Sequence, residues 1–321
     1  MHPLRRILVA MKTAYSRVCL ASIAIASLTG CGISSTSGGV SATVQPNFTT
    51  WSNSIVAGKT VLVAGDSQQG TYSFVAGNVT ARTVEAQQPG ALLTLVFTET
   101  IPALSSFYTK DFRLQTASGT NIKFNRVDDT FFSSSGGTYS GFESADKTKV
   151  LMMAEVNQFE YQSYGIWTTG IGTASGTYGA VSVGSPSPAA AIPIAGVATY
   201  TGSAGGHHVD AAGSVFFATA QMSTSVDFFK RELYFSTSNT SQSPNPVANF
   251  YTGNNILDMT GTLNIVPGTN QFRGAVTTGN GMTGTATGRF YGAAIQEIGG
   301  TFSTTGAGVQ SYSGAFGGVK Q

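Results

Sequence analysis

Alternation of apolar and polar residues predicts that most of this chain forms half-buried β-strands. In segment 256–265 the apolar face carries Leu257, Met259, Gly261, Leu263 and Ile265. Polar residues occupy the positions between them, so the period is two and predicts a strand. Similar short segments, rich in β-branched or aromatic residues, follow residue 195: 196–202, 214–228, 231–236, 271–276, 282–292, 299–305 and 312–319. The sequence therefore predicts eight strands in its C-terminal part.

Short turn-rich segments join these eight strands, which is typical of an up-and-down barrel or a sandwich. A closed barrel is favoured because it leaves no strand edge open to aggregation. Only 10% of the residues are charged and 40 are glycine, which disfavours long charged helices and suits tightly curved strands. The predicted fold class is all-β, with a C-terminal eight-stranded antiparallel β-barrel preceded by a β-rich domain.

The part before the barrel has weaker strand signals, at 60–64, 71–75, 91–97, 122–124 and 150–156. Between the two parts lies a break at 184–195 that contains Pro186, Pro188 and Pro193. Because proline cannot pair inside a central sheet, we place a linker there. The predicted organisation is a leader at 1–30, a Ser/Gly-rich tether at 31–44, a β-rich domain at 45–183, the linker at 184–195 and the barrel at 196–321.

The first thirty residues have the pattern of a secretory leader. Arg5, Arg6, Lys12 and Arg17 precede an apolar run at 18–28, which is too short to cross a membrane as a helix. Met11 is an alternative start to Met1. The run ends in Leu28-Thr29-Gly30-Cys31, which resembles the bacterial lipoprotein signal and implies that Cys31 carries a lipid. The alternative is a secreted protein with an incidental cysteine. Gly32 follows the cysteine where lipoproteins retained in the inner membrane often have Asp, so the chain resembles a lipoprotein that is sent to the outer membrane.

Charge and candidate chemistry give little support to catalysis or nucleic-acid binding. The net charge is +2, with no basic stripe for phosphates, so nucleic acid is not an expected partner. The Gly65-Asp66-Ser67 turn resembles the nucleophile turn of a class of esterases, but the chain lacks their Asp-x-x-His, so we interpret it as an Asx-type turn. His207 and His208 are predicted in a glycine-flanked loop. There they form a polar turn or present one ring to haem iron, and no metal or cofactor site is expected.

Motifs near the C-terminus resemble a known family. Segment 288–302 is GRFYGAAIQEIGGTF, segment 314–321 is GAFGGVKQ, and segment 197–202 is VATYTG. These are similar to the closing and opening barrel strands of transferrin-binding protein B-like bacterial surface lipoproteins. Segment 161–167, YQSYGIW, is more loosely similar to the handle domain of that family. The glycines permit close strand approach, and Phe290, Phe302 and Phe316 are expected to fill the space beside them.

The resemblance implies a noncatalytic lipoprotein of the bacterial outer membrane, anchored by its N-terminal lipid and exposed at the cell surface. It implies an extracellular ligand that is an iron source: a transferrin-like protein, haem or haemoglobin. The chain has room for one handle-plus-barrel lobe, so the ligand stays open. Candidate contact residues for a ligand are His207, His208, Phe107, Tyr108 and Tyr251. The alternatives are an integral, porin-like outer-membrane barrel and a structural envelope lipoprotein.

Overall fold

The described part of the chain folds mainly into β-strands, which are arranged in two sheets. The computed structural model describes residues 43–44, 49–98, 109–133, 138–155, 157–245 and 251–321. They all belong to one compact unit, Val40–Gln321. The leader, Cys31, Phe107 and Tyr108 lie outside the described residues. Within the described ranges, no helix is long and apolar enough to span a membrane.

The first sheet is built by the N-terminal part of the chain. One short helix, α1 (Trp51–Ser54), precedes its long second strand. Its strands are β1 (Thr43–Val44), β2 (Thr60–Val75), β3 (Asn78–Arg82), β4 (Gln88–Phe97), β5 (Thr109–Gln115), β6 (Asn121–Asn125), β7 (Thr130–Ser133), β8 (Tyr139–Glu143), β9 (Lys149–Ala154), β10 (Gln162–Thr169) and β11 (Ser175–Gly184). The order is β6-β5-β4-β2-β11-β10-β9-β8-β7, with β1 and β3 also paired to β2.

The second sheet closes into a barrel. Its strands are β12 (Val197–Val209), β13 (Val215–Asp227), β14 (Glu232–Ser243), β15 (Thr252–Gly253), β16 (Met259–Ile265), β17 (Gln271–Thr278), β18 (Thr283–Tyr291), β19 (Glu297–Thr305) and β20 (Ser311–Lys320). The order is β13-β12-β20-β19-β18-β17-β16-β14-β15, and β13 also pairs with β14. All pairings are antiparallel, so eight strands form a closed ring with β15 as a short addition. The predicted fold class is confirmed.

Alternating side chains fill the barrel interior. Phe290, Phe302 and Phe316 are fully buried there, as the motif residues led us to expect. The apolar face of segment 256–265 also points inward, with Leu257, Met259, Leu263 and Ile265 in the same core. The interior of the barrel is therefore a packed hydrophobic core.

Two predicted strands, 60–64 and 71–75, are one continuous strand, β2. We expected an Asx-type turn at Asp66 and Ser67, but the strand continues through them, and the glycines on either side are required inside the sheet. A Cβ atom on Gly65 would lie 2.1 Å from the carbonyl oxygen of Ser182, and one on Gly70 would lie 2.1 Å from that of Thr83. Glycine here allows close backbone approach.

The first sheet has two covered faces. One face encloses a core of its own around Trp51, Trp167 and Val181. The other face packs on the outside of the barrel, where Tyr164, Ile166 and Ala180 contact Phe217 and Ala315. The linker also lies on the barrel, because the Ser187 amide donates to the carbonyl oxygen of Phe290. The predicted division into a β-rich domain at 45–183, a linker at 184–195 and a barrel domain at 196–321 stays a prediction.

Candidate functional site

His207 and His208 lie in strand β12, and the predicted loop placement is wrong. The glycines before them were the misleading signal, because Gly206 serves a tight strand pairing instead. A Cβ atom at Gly206 would lie 2.7 Å from the carbonyl oxygen of Ser313 and from the ring of Tyr312. Neither histidine is an exposed turn residue, since their exposed fractions are 1% and 5%.

His207 points out of the barrel toward the first sheet. The Thr168 hydroxyl lies 3.1 Å from its Nε2 and 3.2 Å from its Nδ1. The Phe217 ring meets it edge-on, with the ring centroids 5.0 Å apart. Burial lowers the pKa of His207 to about 3, although a hydrogen bond to the Trp167 backbone opposes the shift. His207 is therefore a neutral residue of the junction between the sheets.

His208 points the opposite way, into one end of the barrel. Its Nδ1 lies 2.8 Å from the side-chain oxygen of Gln242, and its ring stacks on Phe216. Burial is the main cause that lowers its pKa, against the hydrogen bond to Gln242. As expected for neighbours in a strand, the two imidazoles face opposite sides and cannot both bind one metal ion. A haem role for either ring stays a prediction, and the described geometry gives both a packing role.

Asp66 and Ser67 are buried in the long strand β2, so the predicted Asx-type turn is wrong as well. In the regular pairing of β2 with β11, Asp66 lies opposite Ser182, whose hydroxyl is 2.8 Å from that of Tyr291 on β18, so the Asp66 carboxylate faces the barrel. There it forms an ion pair with the guanidinium of Arg289 on β18. Sequence reasoning missed this contact because 223 positions separate the two residues.

A second contact missed from the sequence is Glu297, which occurs in the family-like motif at the start of β19. Its carboxylate accepts hydrogen bonds from the backbone amides of Glu160, at 2.6 Å, and Tyr161, at 3.1 Å. Burial raises its pKa to about 7, while the backbone hydrogen bonds act to lower it. A buried acid in a strand of small residues was the available signal. Glu297 fixes the first sheet to the barrel.

One end of the molecule gathers turns from both sheets, and we name it the loop rim: residues 74–77, 170–174, 210–215, 244–245 and Tyr251. The Val79 amide donates to Gly213, and Arg82 donates to the carbonyl oxygens of Val309 and Gln310, so the two sheets are joined here. An apolar cavity of about 560 Å³ opens between Phe74, Ile171, Val215, Phe217 and Pro244.

Among the described residues, Tyr251 is the one candidate contact residue that lies on the loop rim. It is half-buried, and burial raises its pKa. The next residue, Thr252, pairs with Gln242 on β14, which holds the tyrosine beside the rim. A turn aromatic with an exposed part suits protein contacts. The role of Tyr251 in binding stays a prediction.

A larger, polar cavity lies between the outer surface of the barrel and the segment that precedes β4. Its volume is about 770 Å³, and we name it the polar cleft: Asp66, Gln68, Gln87, Gln271, Arg273, Thr285, Thr287, Arg289 and Thr301. Within the described ranges, no group of three or more His, Cys, Asp or Glu residues is placed to hold a metal ion. The geometry offers two recognition surfaces, one apolar at the rim and one polar in the cleft.

Comparison with known proteins gives one family match. Residues 192–320 match the family model described as the C-lobe and N-lobe beta barrels of Tf-binding protein B. No curated protein sequence matches the chain. The family match covers the same strands whose motifs carry the sequence resemblance.

Several solved structures are similar at low identity. A double mutant of transferrin binding protein B from Haemophilus parasuis Hp5 is 14% identical, over 78% of this chain and 60% of that one, with a TM-score of 0.41. The isotype 1 protein from serogroup B Neisseria meningitidis is 14% identical, over 73% and 52%, with a TM-score of 0.41. The N-lobe of lactoferrin binding protein B of Moraxella bovis is 16% identical, over 50% and 76%, with a TM-score of 0.33. The chain thus spans little more than half of some relatives.

The family match, the closed ring of eight antiparallel strands and the buried motif aromatics agree with one another. The chain therefore carries a transferrin-binding protein B-like β-barrel at residues 192–320.

Proposed function

We propose that this chain is a noncatalytic lipoprotein of the bacterial outer membrane that captures an extracellular iron-carrying protein at the cell surface. The observation that carries the proposal is the match of residues 192–320 to the barrels of Tf-binding protein B. The names of the similar structures, transferrin and lactoferrin binding proteins, support a carrier protein as the ligand. Lipidation of Cys31 would supply the anchor.

The loop rim is the surface that suits a protein partner best. Both sheets contribute to it, and its cavity is lined by partly exposed apolar side chains rather than by catalytic groups. Val75, next to this cavity, is 64% exposed. Apolar surface that is held in place by a rigid barrel favours binding of another protein.

The porin-like alternative is disfavoured by both surfaces of the barrel. Large side chains such as Phe272, Phe290 and Phe316 fill the interior, which leaves no aqueous channel among the described strands. The outer surface carries Arg273 and Thr285 where a lipid-facing strand needs apolar residues. The binding experiment must also separate a receptor from a structural envelope lipoprotein, which would bind no ligand.

The direct test is binding of the purified protein, in detergent, to immobilised transferrin, lactoferrin and haemoglobin, with haem as a fourth ligand. We expect saturable binding of at least one carrier. Val75→Asp, at the loop rim, should weaken it at least about tenfold, because it buries a charge in the contact. Val127→Asp is the matched control, since Val127 is 85% exposed in the turn between β6 and β7, outside the loop rim. Failure of every carrier protein to bind would contradict the proposal, and binding of haem alone would identify haem as the ligand instead.

Anchoring and the absence of catalysis are tested separately. Cys31→Ser should release the protein from outer membranes that have been washed with high salt at alkaline pH. A variant that stays in the membrane would contradict lipid anchoring. Ester substrates should not be hydrolysed, because Ser67 is buried in β2. Hydrolysis that disappears in Ser67→Ala would identify an enzyme instead.

A further inference from the structure

The polar cleft has the size and the wall chemistry of a small-ligand site. Its volume of about 770 Å³ lies within the range of known ligand pockets, roughly 300–1,000 Å³. One wall is the outer surface of β17, β18 and β19, and the opposite wall is the segment from Ala86 to Pro89. Hydroxyl, amide and guanidinium groups line the barrel wall, and the opposite wall offers the Gln87 amide between Ala86 and Pro89.

The base of the cleft is held by a chain of hydrogen bonds between the two sheets. The Thr301 hydroxyl donates to the Gln87 side-chain oxygen at 2.9 Å, and the Gln87 amide donates to Asp66 Oδ2 at 2.9 Å. Arg289 Nη2 forms the ion pair with the same carboxylate oxygen. Asp66 and Arg289 thereby compensate each other's charge, and Gln87 is fixed in one orientation.

Arg273 supplies the charge that this network does not compensate. It lies opposite Thr287, and Gln271 lies opposite Arg289, so the two arginines are diagonal neighbours about 7–8 Å apart on one surface of the barrel. Arg273 is exposed and has no hydrogen-bond or ion-pair partner among the residues that the structure describes. The cleft therefore carries one net positive charge.

Arg289 also has donor capacity left toward the cleft. Its side chain is 18% exposed, and its Nε is buried without a hydrogen-bond partner in the described part of the chain. The buried Nε is out of reach of a ligand, so only the exposed part of the Arg289 side chain can meet one.

We propose that the polar cleft binds an acidic sugar, with its carboxylate on Arg273 and its hydroxyls on the surrounding amides and threonines. A guanidinium is suited to bidentate binding of a carboxylate, and Thr287 lies directly opposite on the next strand. Gln68, Gln87, Gln271 and Thr285 offer donors and acceptors for several hydroxyls around a single charge. A ligand with one carboxylate and many hydroxyls satisfies this arrangement. The inference goes beyond the proposed carrier binding and does not depend on it.

The test is titration of the full-length protein, in detergent, with N-acetylneuraminate and with D-glucuronate. Binding is measured by isothermal calorimetry or by ligand-detected NMR. We expect saturable binding of at least one of these sugars. Its dissociation constant should rise about tenfold or more in Arg273→Ala, because a charge-assisted pair is lost. Arg273→Lys should restore little, since lysine lacks the planar fork. Thr287→Val should weaken binding with little change of shape.

The matched control is Lys123→Ala, which removes one exposed positive charge on β6, outside the cleft, and should leave binding unchanged. The methyl ester of the bound sugar keeps its hydroxyls but loses its charge, and it should bind at least about tenfold more weakly. Absence of saturable binding by both sugars would overturn the inference. So would binding that is insensitive to Arg273→Ala or to esterification.

A final arm separates a free sugar from a sugar on a glycoprotein. If the free sugars bind, a sialylated glycoprotein should compete with N-acetylneuraminate, and competition should disappear after the glycoprotein is desialylated. Competition supports a glycan as the source, and its absence supports a free acid. Carrier binding that fails in Val75→Asp but leaves sugar binding intact would separate this site from the loop rim.

Discussion

Replacement of Glu297 by glutamine tests the junction between the first sheet and the barrel through its dependence on pH. Burial raises the pKa of Glu297 from 4.5 to about 7 in the folded protein. Between pH 4.5 and about 7 the folded protein therefore keeps the Glu297 carboxyl group protonated, whereas the unfolded chain has released this proton. The stability from this group is complete below pH 4.5 and is lost as the pH rises through about 7.

The size of the effect follows from the two pKa values. Each pH unit between them corresponds to about 1.36 kcal/mol, so the free energy of unfolding should fall by about 3 kcal/mol from this residue. Glutamine has nearly the same shape and cannot ionise. The two carboxylate oxygens of Glu297 accept from the backbone amides of Glu160 and Tyr161, and in glutamine an NH₂ group takes the place of one of these oxygens. The loss of this acceptor lowers the free energy of unfolding by a similar amount at every pH.

The measurement is urea unfolding of wild type and Glu297→Gln at several pH values between 4.5 and 8. Tryptophan fluorescence reports on it, because Trp51 and Trp167 are both fully buried in the first sheet. Subtracting the two curves removes every other titrating group. The variant should gain about 3 kcal/mol relative to wild type across this range. A difference that does not change with pH would refute the reasoning.

Three further predictions concern packing. In the wild type, the free energy of unfolding should fall as the pH drops from 6.5 to about 3, because the folded protein keeps His207 neutral over this range. The full loss is about 5 kcal/mol, and His207→Leu should remove it. Acid titration followed by circular dichroism measures the difference. Gly317→Ala should lower the free energy of unfolding by about 1–3 kcal/mol in thermal unfolding, because a Cβ atom there would lie 2.2 Å from Gln162 Nε2. Gly253→Ala is the control, because its Cβ atom would have open space, and it should lower the free energy by less than about 0.5 kcal/mol. A fragment of residues 191–321 should fold alone as a monomeric β domain, and a coil spectrum would contradict that.

Alternation was enough to predict the barrel because each of its strands has one face in a single core. All eight predicted strands occur, and their order along the chain is also their order around the ring, which the pairing of β20 with β12 closes. The first sheet was harder, since both of its faces are covered and its strands do not alternate cleanly. In β10 every residue but the last is buried, and in β11 the consecutive residues 178–183 are all buried. Periodicity therefore marked only fragments of that sheet.

The candidate sites were less predictable than the fold because they depend on contacts between distant segments. The partner of Asp66 is on β18, and the partners of Glu297 are backbone amides before β10. Glycine next to His207 indicated a loop, yet in this chain glycine often serves close strand pairing. Because the two histidines lie in a strand instead, their rings face opposite sides of it, His207 toward Thr168 and His208 toward Gln242.

The central claim is that the protein is a lipid-anchored receptor for an iron carrier, and capture by intact cells tests it most directly. Cells that produce the full-length protein, or Cys31→Ser, are incubated with fluorescent transferrin, lactoferrin and haemoglobin. We predict that wild-type cells retain one carrier and that the variant cells, which lack the anchor, do not. Wild-type cells whose protein is accessible to added protease, yet which retain none of the carriers, would contradict the claim.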